Sequence, residues 1–344
     1  MRKLGWTLVF FSLLALLLPN SLLAEKRLFI IDDDVGMDIW GCLCDRKKKP
    51  TQPWLGVCDP DGGLELVYAL NEPDIEILGI TCSWGCSSLR VCMESVKKLL
   101  KLVGKENIPV LAGAGGKDAL GKPTPASQFI IEQVMSHPGR VEILATAPLT
   151  NIATAIMLEP KIVENWKALH FATGEFHGEL GVWSDARLWE WTGYKDLNIN
   201  VDAKATRYVL EHAGNFPIYP NEVMDDAWLS FSQWLKLASS SSQLAQHLAH
   251  QTWIMVFACS GVGRILGLKG MPLHGLIASA LAFHPELFAG KVIQSPVKMI
   301  ESKKGGYIFK LSQNPNLPSH TIYVELKNAE LLKKQIMERL LKEK

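Results

Sequence analysis

Short apolar runs alternate with amphipathic stretches along most of this chain. Residues 28–31, 75–81, 108–111 and 141–146 are brief and rich in Ile, Val and Leu, the pattern of strands buried on both faces, and 168–172 is strand-like as well. Between and after them, residues 64–70, 88–103, 126–135, 148–158 and 201–212 repeat apolar positions at helical spacing. In 88–103, Val91, Val96, Leu99, Leu100 and Val103 share one face. Helices are also predicted over 227–237, 242–259, 273–283 and 329–341, and alternating strands over 292–300 and 321–326. This spacing predicts an α/β fold: a mostly parallel central sheet with helices on both faces, in a single domain over 25–344. Ligands of such sheets sit beyond the carboxyl ends of the strands.

Two stretches break the pattern. Residues 39–63 read as an irregular insertion carrying Lys47, Lys48, Lys49 and Pro50 together with Cys42, Cys44 and Cys58. Residues 174–195 form a second irregular stretch with Trp183, Trp189 and Trp191. At the N-terminus, Arg2 and Lys3 precede an apolar run over 8–18, and Ser21-Leu22-Leu23-Ala24 ends in a small residue. This predicts a signal peptide over residues 1–24 and a secreted chain, with an uncleaved anchor as the rival reading. Seven cysteines fit an oxidising compartment, and their odd number leaves at least one unpaired within the chain.

Composition narrows the classes. The chain has 344 residues, 48% hydrophobic and 21% charged, with a net charge of +1. It is ordinary globular material without the basic stripe of a nucleic-acid binder.

The chemistry concentrates after the first strand. That strand delivers Asp32, Asp33 and Asp34 together, Gly36 permits a tight turn, and Asp38 adds a fourth acid. Clustered carboxylates repel one another, and a divalent cation held by oxygen ligands relieves the repulsion. A solvated acidic turn is the plainer alternative.

Several segments together resemble the inosine-uridine preferring nucleoside hydrolases. Asp32-Asp33-Asp34-Val35-Gly36-Met37-Asp38-Ile39 is similar to the family's Asp-x-Asp-Pro-Gly-x-Asp-Asp signature. Asn71-Glu72-Pro73 with 75–81, the run Ala145-Thr146-Ala147-Pro148-Leu149-Thr150-Asn151, and Asp196-Leu197-Asn198 follow in the family's order.

The resemblance implies a Ca²⁺-dependent hydrolase that cuts the N-glycosidic bond of ribonucleosides. It implies Asp34 as metal ligand and general base, Thr146 as a ligand through its carbonyl, and Asp38 on a ribose hydroxyl. Asp196 and Asn198 would hold the ribose from the other side, and His274 would be the acid at the leaving base. The implied partner is a small-molecule nucleoside, with a homo-oligomer as one option, no nucleic acid, and no membrane after signal cleavage. The sequence departs from the family pattern at Ile39 and Gly275, where acids are expected, and at Cys86, where an asparagine is expected. Asp61, at the end of the insertion, is the candidate replacement ligand. These departures keep a second expectation open: a catalytically impaired homologue, with calcium binding weakened or lost, acting as a nucleoside-binding or interaction protein.

Overall fold

The computed structural model describes residues 25–37, 60–181, 196–224, 227–261, 263, 268–303 and 305–342. The expected signal segment over 1–24, Asp38, most of the insertion with Cys42, Cys44 and Cys58, and the tryptophans at 183, 189 and 191 lie outside these residues.

The first half of the chain alternates strand and helix: β1 (Arg27–Asp33), α1 (Pro60–Leu70), β2 (Ile75–Cys82), α2 (Leu89–Val103), β3 (Val110–Ala112), α3 (Pro125–Ser136), β4 (Val141–Ala145), α4 (Thr150–Leu158) and β5 (Ala168–Ala172). A short helix α5 (Leu197–Val201) leads into α6 (Ala203–His212) and β6 (Pro217–Tyr219). Then come α7 (Phe231–Ala238), α8 (Gln243–Ser260), α9 (His274–Phe283), strands β7 (Val292–Glu301), β8 (Tyr307–Leu311) and β9 (Ser319–Tyr323), and α10 (Ala329–Leu340).

Nine strands form one sheet in the order β8-β7-β9-β6-β5-β4-β1-β2-β3. From β9 to β3 every pairing is parallel, and β7 and β8 add an antiparallel edge. The mostly parallel, two-faced sheet expected from the apolar runs is the architecture observed. One core packs Phe29, Ile31 and Val35 against α1, α2, α8, α9 and α10. The other packs Ile30, Ile143 and Phe171 against α3, α4 and α6. Successive side chains of β1 therefore enter opposite cores.

Several expected boundaries move for local reasons. Helix α1 begins at Pro60, so the insertion ends before Asp61 instead of running to Gly63. Proline suits the first helical turn, and a side-chain carbon at Gly63 would come within 2.3 Å of Met37, so glycine lets α1 sit against the acidic turn. Helix α4 starts at Thr150, leaving Pro148 outside it. The helix expected over 201–212 is divided at Asp202, whose carboxylate accepts from the Ala205 amide and caps α6. The helix expected from 227 starts at Phe231, because Trp228–Leu229 pairs with Met271–Pro272 and Ser230 and Gln233 cap each other. Strands β6 and β8 were not expected; at three and five residues they carry little periodic signal. Among the described residues no helix is long and apolar enough to cross a membrane.

Candidate functional site

The strand order runs β3-β2-β1 to one side and β4-β5-β6 to the other, so direction reverses between β1 and β4. Open parallel sheets bind ligands at such a switch point, outside the carboxyl ends of the strands. Asp32 and Asp33 end β1 there, Asp34 follows, and Thr146 follows the end of β4 with its amide donating to the Asp32 carbonyl at 2.9 Å.

The acidic backbone is clamped from neighbouring elements. The Ser83 amide donates to the Asp33 carbonyl at 2.9 Å, and Ser87 Oγ to the Asp34 carbonyl at 2.8 Å. All three carboxylates are buried. Asp32 is the best satisfied: its Oδ1 accepts from Thr81 Oγ1 at 2.6 Å and Asn151 Nδ2 at 2.8 Å. Burial pushes its pKa up to about 6 against these hydrogen bonds. Asp34 Oδ2 accepts from the Cys86 amide, while Oδ1 has no partner. Burial raises Asp34 to about 7, with the Cys86 amide and thiol opposing. A side-chain carbon at Gly85 would come within 1.8 Å of Asp34 Oδ2, so glycine is what lets this loop close on the carboxylate.

Neither oxygen of Asp33 has a hydrogen-bond partner, and burial with the neighbouring Asp34 charge pushes its pKa up to about 8. A carboxyl whose folded pKa lies above its ordinary value of about 3.9 penalises folding progressively as pH rises from there through the folded pKa. Asp33→Asn is therefore expected to stabilise the chain in chelator, with no gain near pH 4 and a gain of about 2 kcal/mol above pH 8. Urea unfolding of both proteins across that range checks it; a pH-independent difference would contradict the assignment.

A further acid joins this group from α1. Glu65 is fully buried; its Oε1 accepts from Ser279 Oγ at 3.0 Å, and its Oε2 has no hydrogen-bond partner. Burial, then the charges of Asp33 and Asp61, raise its pKa well above the usual range, and the Thr146 side chain lies beside it. Sequence reading missed Glu65 because it looks like one polar residue in an apolar helix. No local signal separates it, because nearly all of α1 is buried and only the fold places its carboxylate among the other acids.

The other expected residues divide. Asp61 lies in the first turn of α1, partly buried, with its charge felt at Asp33 and Glu65. His274 opens α9 beside Gly275, whose missing side chain makes room for Glu65. Asn198 Nδ2 donates to the carbonyls of Thr146 at 2.9 Å and Ala172 at 3.1 Å, so it orients the Thr146 carbonyl. Asp196, expected at the ribose, is bonded to the fold through both carboxylate oxygens. Its Oδ1 accepts from Thr173 Oγ1 at 2.6 Å and the Ile199 amide at 2.9 Å, and its Oδ2 from the Gly174 amide at 3.0 Å. These bonds make it the cap of α5 and the anchor of the Gly174 turn. Asp38 lies outside the described residues.

The chemistry of this donor set suits a hard divalent cation. Oxygens of Asp32, Asp33, Asp34 and Glu65 are buried without a hydrogen-bond partner, and the Asp33 charge, beside that of Asp34, is felt at Glu65; isolated charges of that kind are stable only when neutralised. A different trio, Glu72, Asp74 and His284, has ligand atoms within 4.8 Å of one another. It is already neutralised from within, since Glu72 Oε2 is engaged by the Arg339 guanidinium and by His284 Nε2 at 2.9 Å. It also sits at the other end of the strands, where the Asp74 carbonyl accepts from the Arg27 amide at the start of β1.

Comparison with known proteins finds a family model, sequence relatives and similar solved structures. Residues 57–333 match the family model described as inosine-uridine preferring nucleoside hydrolase. A probable uridine nucleosidase of Arabidopsis thaliana is 27% identical over 273 residues, covering 71% of this chain and 80% of that protein. A pyrimidine-specific ribonucleoside hydrolase of Citrobacter koseri is 24% identical, covering 69% and 80%. Among solved structures, a plant nucleoside hydrolase superposes with a TM-score of 0.71 at 17% identity, over 92% of this chain and all of the other. A purine-preferring ribonucleoside hydrolase from Gardnerella vaginalis gives 0.70 at 18%, over 92% and 98%.

Proposed function

Because this chain belongs to the inosine-uridine preferring nucleoside hydrolase family, we propose that it hydrolyses the N-glycosidic bond of ribonucleosides to ribose and free base, as a Ca²⁺-dependent enzyme. The observation that carries this reading is the buried acidic group at the switch point, with unpaired oxygens on Asp33, Asp34 and Glu65. Asp34 and the Thr146 carbonyl would hold the cation, with Asp61 beside them. When bound, a divalent ion acidifies a coordinated water and neutralises the clustered acids.

The chain's own residues supply the remaining roles. Asp34 takes the proton from the attacking water, and its Oδ1, which has no hydrogen-bond partner, is the oxygen available to accept it. Negative charge at this end of the sheet favours a ribose that becomes cationic as the base departs. His274 stands at the start of α9 to protonate the leaving base, and Asn198 keeps the Thr146 carbonyl turned toward the site. Asp38 would complete the ribose contacts. The chain is proposed to act outside the cell, after loss of residues 1–24.

Cys86 beside Asp34, and glycine at 275, favour a second reading: a scaffold that binds nucleosides and turns them over poorly. A panel of uridine, cytidine, inosine and adenosine at millimolar Ca²⁺ separates the two. Free base from at least one nucleoside supports the hydrolase. Binding of a nucleoside without base release supports the second reading.

A further inference from the structure

Gly275 and Glu65 share one small volume. A side-chain carbon built on Gly275 would lie 2.1 Å from Glu65 Oε2, so the Glu65 carboxylate fills the space that a residue at 275 would use. Helices α1 and α9 pack directly on each other, and the Ser279 hydroxyl, one turn along α9, donates to the other Glu65 oxygen. One oxygen is thus fixed by the fold. The other is fully buried, has no hydrogen-bond partner, and lies among Asp33, Asp61 and Thr146. Leaving a buried carboxylate oxygen unpaired is costly, and nothing in the packing of α1 requires an acid at this position, since its neighbours Leu64, Leu66 and Val67 are apolar and buried.

We propose that Glu65 is a direct ligand of the divalent cation, delivered from α1 into the place that Gly275 leaves open on α9. This rests on the reading of the acidic group as a cation site. The arrangement explains why both features occur together: a side chain at 275 would exclude the glutamate, and without the glutamate the glycine would leave that wall of the site without an acid. The glutamate's extra methylene lets it reach across from α1 while Ser279 holds its orientation.

Calorimetric titration with Ca²⁺ alone, paired with the Ca²⁺-induced rise in melting temperature, tests this without any substrate. Loss of groups that merely orient metal ligands costs about 10–100-fold in affinity, so Glu65→Gln is expected to weaken Ca²⁺ binding by at least about 100-fold. The melting temperature of Glu65→Gln in chelator should equal or exceed that of the parent, which shows that the variant is folded. Glu65→Ala should likewise lose Ca²⁺ binding, and Glu65→Ala combined with Gly275→Asp, which moves the carboxylate from α1 to α9, should regain it. Parental Ca²⁺ affinity in Glu65→Gln, or in Glu65→Ala with glycine still at 275, overturns the inference while leaving the cation site intact. Absence of Ca²⁺ binding by the parent itself overturns the cation reading and this inference together.

Discussion

Asp34→Ala is expected to lower kcat/KM for base release by at least about 10³-fold, since a positioned general base alone contributes about 10²–10⁴-fold and this residue also serves the cation site. The fold should survive. Asp34 is buried with one unpaired oxygen, so its removal takes away a desolvated group and no packing partner of the apolar cores. Circular dichroism and melting in chelator establish the intact fold, and an initial-rate assay on the best nucleoside gives the loss. Retention of more than a tenth of the activity would place the base elsewhere.

Glu142→Ala is expected to damage the protein in the opposite sense, through stability. The Glu142 carboxylate receives Arg27 Nε at 2.8 Å and a second guanidinium nitrogen at 2.5 Å, with Lys167 Nζ and His170 Nε2 each at 3.0 Å. Arg27 in turn donates to the carbonyls of Phe283 at 2.6 Å and Ala282 at 3.0 Å, tying the end of α9 to the start of β1. Burial alone would raise the Glu142 pKa, but the His170 and Arg27 hydrogen bonds hold it well below the usual carboxylate range. A depressed carboxylate contributes stability that is fully present above its unfolded pKa of about 4.3, so the cost is best read at pH 7. Removing one partner of such a buried cluster costs about 3 kcal/mol, which corresponds to a fall of ~5 °C or more in melting temperature. Urea unfolding at pH 7 checks it, and a loss below ~1 kcal/mol would show the cluster to be solvent-screened.

The parts of this molecule legible in the sequence are those whose physics is local. The run 141–145 is apolar apart from Glu142, and it is a strand over those residues. Helix α2 was legible from its apolar face, and Ser88 caps it by accepting from the Val91 amide. The three acids at the end of β1 were legible as a cluster because they are adjacent in the chain. Glu65 was not. Its meaning comes from Gly275, more than two hundred residues away, and from the packing of α1 on α9, which no periodicity reveals. The capping role of Asp196 is hidden for a related reason, since a carboxylate aimed at a ligand and one capping a helix look alike in sequence. Its bonds to Thr173, Gly174 and Ile199 reveal the cap. The short strands β6 and β8 escaped because their partners, not their own residues, make them strands.

What unites the acidic turn, the Thr146 carbonyl and the glutamate of α1 is a single demand for positive charge at the switch point of the sheet. The most direct measurement is base release from uridine and inosine by the purified chain, assayed first in excess chelator and then after Ca²⁺ is returned. The account expects no release in chelator and recovery of release on adding Ca²⁺ back. Equal rates in chelator and in Ca²⁺, or no release in either, would contradict it.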